Sequence, residues 1–232
     1  GYFWHHPCHE YPVHDKLITE CWAETDQLLV SHHPDPEKRR GQYMELLALS
    51  VREDPDCPRN AFYYARELTF YKKWPEALPA LQKYLAMPSA QWPTERSYAM
   101  RLLAQVHEGM SNVWEAEAWL HRACAEAPNT REPWCALAAL MYRLGRWPDC
   151  YAAAMRTLEI KDRTLVYTCD PAVWGHAPHD WAAISAFQLN MIDIAVEQGN
   201  LAAKAAPNDP RLKRNLKHYR DAKSTLKSGS IP

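Results

Sequence analysis

The stretch Trp134-Cys135-Ala136-Leu137-Ala138, followed by Gly145 and then by Cys150, Ala154 and Thr157, decides the fold. A large residue and a small one lie on a first helix, a glycine makes a turn, and small residues line a second helix. Apolar spacing of three and four residues places those helices at 131–144 and 148–160. Three other stretches follow the same plan: 62–72 with 75–87, 94–108 with 114–127, and 179–189 with 192–206. Residues 211–226 form a single closing helix, with Leu212, Leu216 and Tyr219 on one face. Before the pairs, Tyr43, Leu46, Leu47, Leu49 and Val51 mark a helix that ends ahead of Asp54-Pro55.

The register is arithmetic. The small residue early in each second helix is Ala77, Ala116, Cys150 or Ala195, and these are 39, 34 and 45 residues apart. The middle interval is the tetratricopeptide period of about 34 residues, and the others require insertions. Pro128 and Pro207 each fall 12 residues after their alanine, where a unit ends. The longer insertion is 161–178, which holds Tyr167-Thr168-Cys169-Asp170-Pro171 and Trp174-Gly175-His176. An ordered loop of that length is either functional or a structural plug. The expected fold is mainly α, a tetratricopeptide-like helical-repeat solenoid with a short extended or β segment at the N-terminus. Helical solenoids are recognition surfaces more often than reaction centres.

Composition agrees. Of 232 residues 47% are hydrophobic and only 7 are glycine, which favours helix over a glycine-rich phosphate loop. The formal net charge of −1 implies no general attraction to nucleic acid or anionic membrane. Seven cysteines are scattered, with Cys124, Cys135 and Cys150 among alanines, where a reduced thiol acts as a small hydrophobe. That usage points to a reducing, cytoplasmic setting. No apolar run long enough to span a membrane is present. The chain begins at Gly1 inside an extended stretch, as expected of a fragment or a processed product.

Residues 1–35 differ from the rest. Gly1-Tyr2-Phe3-Trp4-His5-His6 is aromatic and extended, and Pro7 and Pro12 forbid a helix between them. Gln27-Leu28-Leu29-Val30-Ser31-His32-His33 reads as a short strand closed by Pro34 and Pro36. The expected division is therefore 1–35 as an extended segment, 36–226 as repeats with a capping helix, and 227–232 as a tail. His5, His6, Cys8, His9, Glu10 and His14 are the densest set of metal-ligand types. No second pair at zinc-finger spacing follows them, so a zinc-binding regulatory module rests on that cluster alone.

The order His9-Glu10, Ser31-His32-His33 and Lys38-Arg39-Arg40 resembles the end of a family-2 glycosyltransferase domain of GT-A type. Arg59-Asn60-Ala61-Phe62-Tyr63-Tyr64-Ala65-Arg66-Glu67-Leu68 resembles the first helix of the tetratricopeptide extension that such enzymes carry. The likeness continues through Ala125-Glu126-Ala127-Pro128-Asn129, Arg131-Glu132-Pro133-Trp134, Trp174-Gly175-x2-Pro178-His179-Asp180 and Asp209-Pro210-Arg211-Leu212-x2-Asn215-Leu216. The resemblance implies that His9 ligates a divalent ion, Mn or Mg, which holds the diphosphate of a nucleotide-sugar. It implies that Glu10 orients the His9 ring or faces the acceptor. It also implies a missing N-terminal catalytic domain, a protein or glycan acceptor and possible self-association. The Asp-x-Asp motif and the nucleotide-binding half that such an enzyme needs are not in this sequence, so this chain alone is not expected to transfer sugar.

Tyr64, Arg66, Glu67, Trp174 and His179 are the candidate binding surface on the repeats. Trp74, Trp114, Trp134 and Trp147 lie near helix ends and are expected mostly in core or inter-repeat packing. His179-Asp180 has the letters of a catalytic pair, but Asp180 sits in the first turn of a helix, where its charge suits the amide dipoles. The basic closing helix reads as a solvated cap. Two functions remain in view: the C-terminal platform of a glycosyltransferase, or a stand-alone tetratricopeptide adaptor or assembly protein without catalysis.

Overall fold

The computed structural model describes residues 1–5, 7, 11–14, 31, 33, 42–163 and 166–227. They contain an antiparallel hairpin of β1 (Tyr2–His5) and β2 (Tyr11–His14), with Tyr2 opposite His14 and His5 opposite Tyr11. Ten α-helices follow. They are α1 (Gln42–Glu53), α2 (Pro58–Phe70), α3 (Trp74–Ala86), α4 (Pro93–Gly109) and α5 (Val113–Glu126). Then come α6 (Arg131–Arg143), α7 (Trp147–Glu159), α8 (Ala177–Gln188), α9 (Ile192–Ala205) and α10 (Pro210–Lys227). A short 3₁₀ turn, Pro171–Trp174, precedes α8. The expected helix pairs are all present. The largest boundary difference is at α2, which starts at Pro58 rather than residue 62. A proline in the first turn lacks only an amide that has no helical partner, so it starts a helix well. Prolines also occupy the first turn of α3, α4, α7 and α8.

The four turns inside the pairs share one geometry. Lys72, Ser111, Gly145 and Asn190 all have left-handed backbones, with φ of 56°, 61°, 66° and 60°. In each, the amide of that residue bonds the carbonyl three back, and the next amide bonds the carbonyl five back. Gly145 donates to Tyr142 and Arg146 to Met141; Lys72 donates to Thr69 and Lys73 to Leu68. This is the Schellman end, which satisfies carbonyls the helix leaves open. Seven residues before each turn residue stands Ala65, Ala104, Ala138 or Ala183, and five after stands Ala77, Ala116, Cys150 or Ala195. None of the eight exceeds 3% exposure. Small side chains facing each other let the two helices of a pair close together, and the surrounding Leu and Met fill the remaining space.

The chain forms two compact units, 1–90 and 91–232. In the first, α1 packs on α2 and α2 on α3. Leu47, Phe62, Leu68, Leu81 and Tyr84 are buried, and the Phe62 and Tyr84 rings meet at 5.3 Å. In the second, each helix packs on the next along the chain from α4 to α10. The first helices of successive pairs also touch, α4 with α6 and α6 with α8. Successive second helices show no such packing among the described residues, so the first helices line the inner side of the stack. Leu212, Leu216 and Tyr219 are buried, as expected of a cap. Gly199 of α9 leaves the space that Tyr219 fills, since a Cβ there would lie 3.0 Å from the ring.

Trp114 departs from its expected place. It is 80% exposed, because Val113 and Ala116 take the inward positions of that turn. Trp134 packs, half-buried, against the α6–α7 core. The expected strand at 27–33 lies almost wholly outside the described residues, and Ser31 and His33 are in no helix or strand. No described helix is long and apolar enough to cross a membrane.

Candidate functional site

The insertion between α7 and α8 folds onto the start of α6 and α4, within the second unit. Its anchor is Arg131, the first residue of α6, whose Nε donates to the Ile160 carbonyl at 2.9 Å and Nη1 to the Val173 carbonyl at 3.2 Å. The same guanidinium lies 4.0 Å from the Trp174 ring centre. One buried side chain therefore ties both ends of the insertion to one helix terminus. Burial lowers its pKa, while the neighbouring Glu132 works in the other direction. Glu132 adds a second tie, accepting the Asp170 amide on Oε1 at 3.1 Å. Asp170 in turn caps the 3₁₀ turn through the Ala172 amide. On the α4 side, the Tyr167 hydroxyl donates to Glu95, and its ring lies 5.5 Å from that of Trp92.

Beneath this insertion is a small open cleft, with a volume of about 30 Å³. Thr94 and Arg101 of α4, Glu132 of α6, and Thr168 and Trp174 of the insertion are among its walls. Some polar groups there are already bonded: Ser97 Oγ donates to the Ala123 carbonyl and Thr130 Oγ1 to the Ala127 carbonyl. Three buried ones are not. Thr94 Oγ1, Arg101 Nε and Trp174 Nε1 are buried and have no hydrogen-bond partner. Burial pushes the Arg101 pKa down, with the Glu132 and Asp170 carboxylates opposing that effect. The guanidinium also stacks 4.6 Å from the Tyr98 ring centre. A second and larger hollow, of about 200 Å³, lies among α5, α6 and α7 and is mostly apolar, with Trp134, Leu137 and Met141 in its wall.

The residues expected from sequence have different fates. His9 and Glu10 lie outside the described residues, as do His6 and Cys8. His5 and His14 stand at opposite ends of the hairpin ladder, and His14 meets the Tyr2 ring edge-on at 4.9 Å. No group of three or more metal-ligand side chains occurs among the described residues. In the first unit Tyr64 is half-buried, Glu67 is buried, and Arg66 stacks 4.5 Å from the Tyr63 ring centre. In the second, Trp174 lines the cleft, whereas His179 is half-buried with Nδ1 2.8 Å from Gln198 Oε1. His179 and Asp180 look to different partners, since Asp180 pairs with Arg211 of α10 at 2.7 Å. They form no catalytic couple. Arg101 and Thr94 carry no sequence signal, each being one polar residue in an ordinary helical pattern. Arg131 and Glu132 adjoin the stretch that sets the fold, but their bonds to residues 29 to 42 positions away have no local signature.

No protein-family model and no curated protein sequence matches this chain. Solved structures do. A chain of the APC/C hetero-tetramer Cut9-Hcn1 matches with a TM-score of 0.60 at 14% identity, over 79% of this chain and 34% of its own. This chain thus spans about a third of that protein's length. YrrB, a TPR protein with an unusual peptide-binding site, matches with a TM-score of 0.59 at 14% identity, over 78% and 85%. Pseudomonas aeruginosa pilF matches with a TM-score of 0.57 at 15% identity, over 77% and 72%. The likeness shows the tetratricopeptide-repeat fold expected from the register. It lends nothing to the glycosyltransferase resemblance.

Proposed function

We propose that this chain is a protein-recognition module, an adaptor or assembly part that carries no reaction itself. One observation carries the reading. The repeats hold their internal grid constant and vary the side chains beside it. Seven residues before each turn residue the side chain is always alanine. Six before, it is Arg66, Gln105, Ala139 or Ile184; three before, it is Thr69, Glu108, Tyr142 or Phe187. In the second unit the series runs from Gln105 and Glu108 on α4 to Tyr142 on α6, which stacks on Trp181, and to Ile184 and Phe187 on α8, the latter stacked on His218 and Tyr219 of the cap. A scaffold with a constant interior and side chains that change from repeat to repeat suits an extended polypeptide ligand. YrrB, of the same fold, has a peptide-binding site.

The test is a peptide array probed with the full chain. A related set of peptides should bind, and their addition should shift amide resonances of α4, α6 and α8. Uniform signal across the array, with no localised shifts, would refute the module.

The ordered motifs from His9-Glu10 to Trp174-Gly175-x2-Pro178-His179-Asp180 favour a second reading. Here the chain is the C-terminal platform of a nucleotide-sugar-dependent glycosyltransferase, with 1–35 ending the catalytic domain and 36–226 receiving a protein or glycan acceptor. That reading requires an Asp-x-Asp motif in coding sequence upstream of Gly1. In the intact enzyme it also requires weaker Mn or Mg binding after His9→Ala. A start codon directly before Gly1, or unchanged metal affinity, would end it.

A further inference from the structure

Among the described residues, four buried side-chain nitrogen or oxygen atoms lack a hydrogen-bond partner, and three of them belong to one cleft. Thr94 Oγ1, Arg101 Nε and Trp174 Nε1 come from α4 and from the insertion, 80 residues apart at their extremes. A buried donor without an acceptor is costly, so three in one opening are a feature that requires an explanation. All three can donate, and the indole and guanidinium nitrogens can do nothing else. A ligand for this cleft must therefore bring acceptors.

Charge narrows the class. The Glu132 and Asp170 carboxylates lie near enough to the Arg101 guanidinium to support its charge. Asp162 also lines the opening. The three carboxylates are matched by three guanidiniums, Arg101 in the wall and Arg131 and Arg163 beside the Trp174 ring, so no unpaired charge is left to draw in an ion. A carboxylate or phosphate would have to leave water uncompensated, whereas a neutral carbonyl would meet the same donors at far lower desolvation cost. We propose that the cleft beneath the 161–178 insertion binds an uncharged amide, the peptide group or carboxamide side chain of a partner polypeptide. Arg101 Nε, Thr94 Oγ1 and the Trp174 indole are its donors. The proposal rests on the recognition reading above and assigns it a site. The site belongs to this chain's insertion as much as to its repeats: Trp174 exists only there, and Arg131 fixes it by stacking.

The experiment uses the full chain, ¹⁵N-labelled, with N-methylacetamide as the amide probe and sodium acetate as the anionic one. The Trp174 indole resonance is assigned by its loss in Trp174→Phe. N-Methylacetamide should shift that resonance saturably in the millimolar range, and acetate should not. Thr94→Val should weaken the response roughly fivefold, the effect of one ordinary hydrogen bond. Arg101→Lys keeps the charge near Glu132 and Asp170 but removes Nε–H, and should weaken it similarly. If Arg101→Lys does not fold, the wild-type titrations and Thr94→Val still decide. An equal response to acetate would mean a charge-selected site. The lack of a saturable shift would mean donors served by water alone. A shift indifferent to Thr94→Val would place binding elsewhere. Each outcome overturns the proposal. If array peptides bind wild type and Thr94→Val equally, the cleft fails as their site while the recognition module stands.

Discussion

Removing Arg211 should cost far more than removing the charge it pairs with. Arg211 Nη1 and Asp180 Oδ2 are 2.7 Å apart, but the partners are unequal: the Asp180 side chain is 5% exposed and that of Arg211 is 45%. Burial raises the Asp180 pKa even with Arg211 bonded to it. Arg211→Ala leaves a buried carboxylate without its cation, and breaking a buried pair from that side costs about 3 kcal/mol. Asp180→Asn leaves a solvated guanidinium and a carboxamide that still accepts, for about 1 kcal/mol. Because the native pKa of Asp180 lies above its unfolded value, native Asp180 holds its proton to higher pH than the unfolded chain does. Its contribution to stability therefore falls as pH rises from the ordinary carboxylate range to the native pKa. Arg211→Ala raises that native pKa further. Its penalty should be larger at pH 7 than at pH 4, where the stranded carboxyl takes up its proton more readily than the bonded one. In a stack of repeats the loss is read locally, so hydrogen exchange of the α10 amides is the assay. Exchange there should quicken by roughly 100-fold at pH 7. A cost equal at both pH values, or smaller than that of Asp180→Asn, would refute the reasoning.

The turn residues make a matched set of tests. Gly145→Ala puts a Cβ into a left-handed backbone and should lower stability by about 1 kcal/mol, whereas Lys72→Gly and Ser111→Gly remove that strain and should raise the melting temperature. Gly199→Ala should cost about 1 kcal/mol or more by forcing Tyr219 outward, seen as faster exchange confined to α9 and α10. Arg131→Ala should free the insertion and speed trypsin cleavage after Lys161 and Arg163. Arg131→Lys should not restore resistance, since an ammonium cannot make two divergent bonds and stack. Burial pushes the Cys124 and Cys135 thiols up to about 12 and Cys150 to about 11, so a thiolate-directed reagent at pH 8 should modify these three only after unfolding.

The parts of the fold legible in the sequence were those that repeat. Ala77, Ala116, Cys150 and Ala195 set a register, and the turn residues follow the same intervals of 39, 34 and 45. Only Gly145 announced its turn by residue type. Lys72, Ser111 and Asn190 adopt the same backbone because the paired helices and the Schellman bonds hold it, an effect of tertiary structure that composition does not show. Trp114 misled for the opposite reason: an aromatic residue at a repeat-like position, turned outward by the inward Val113 and Ala116.

The cleft was legible by half. The length of the insertion and its Trp174 marked one wall from sequence alone. The other wall is Thr94 and Arg101, which become notable only when an insertion from beyond α7 settles over them and buries them. Their chemistry is a product of topology rather than of motif, because no spacing within α4 could foretell that α6 would lend Arg131 as the anchor. A stack of repeats needs its grid; it has no use for a buried arginine clamp over unpartnered donors. The insertion interrupts the regular period between the third and fourth pairs, and its residues are held more tightly than a spacer requires. If function has a single address on this chain, it is the place where the repeat breaks.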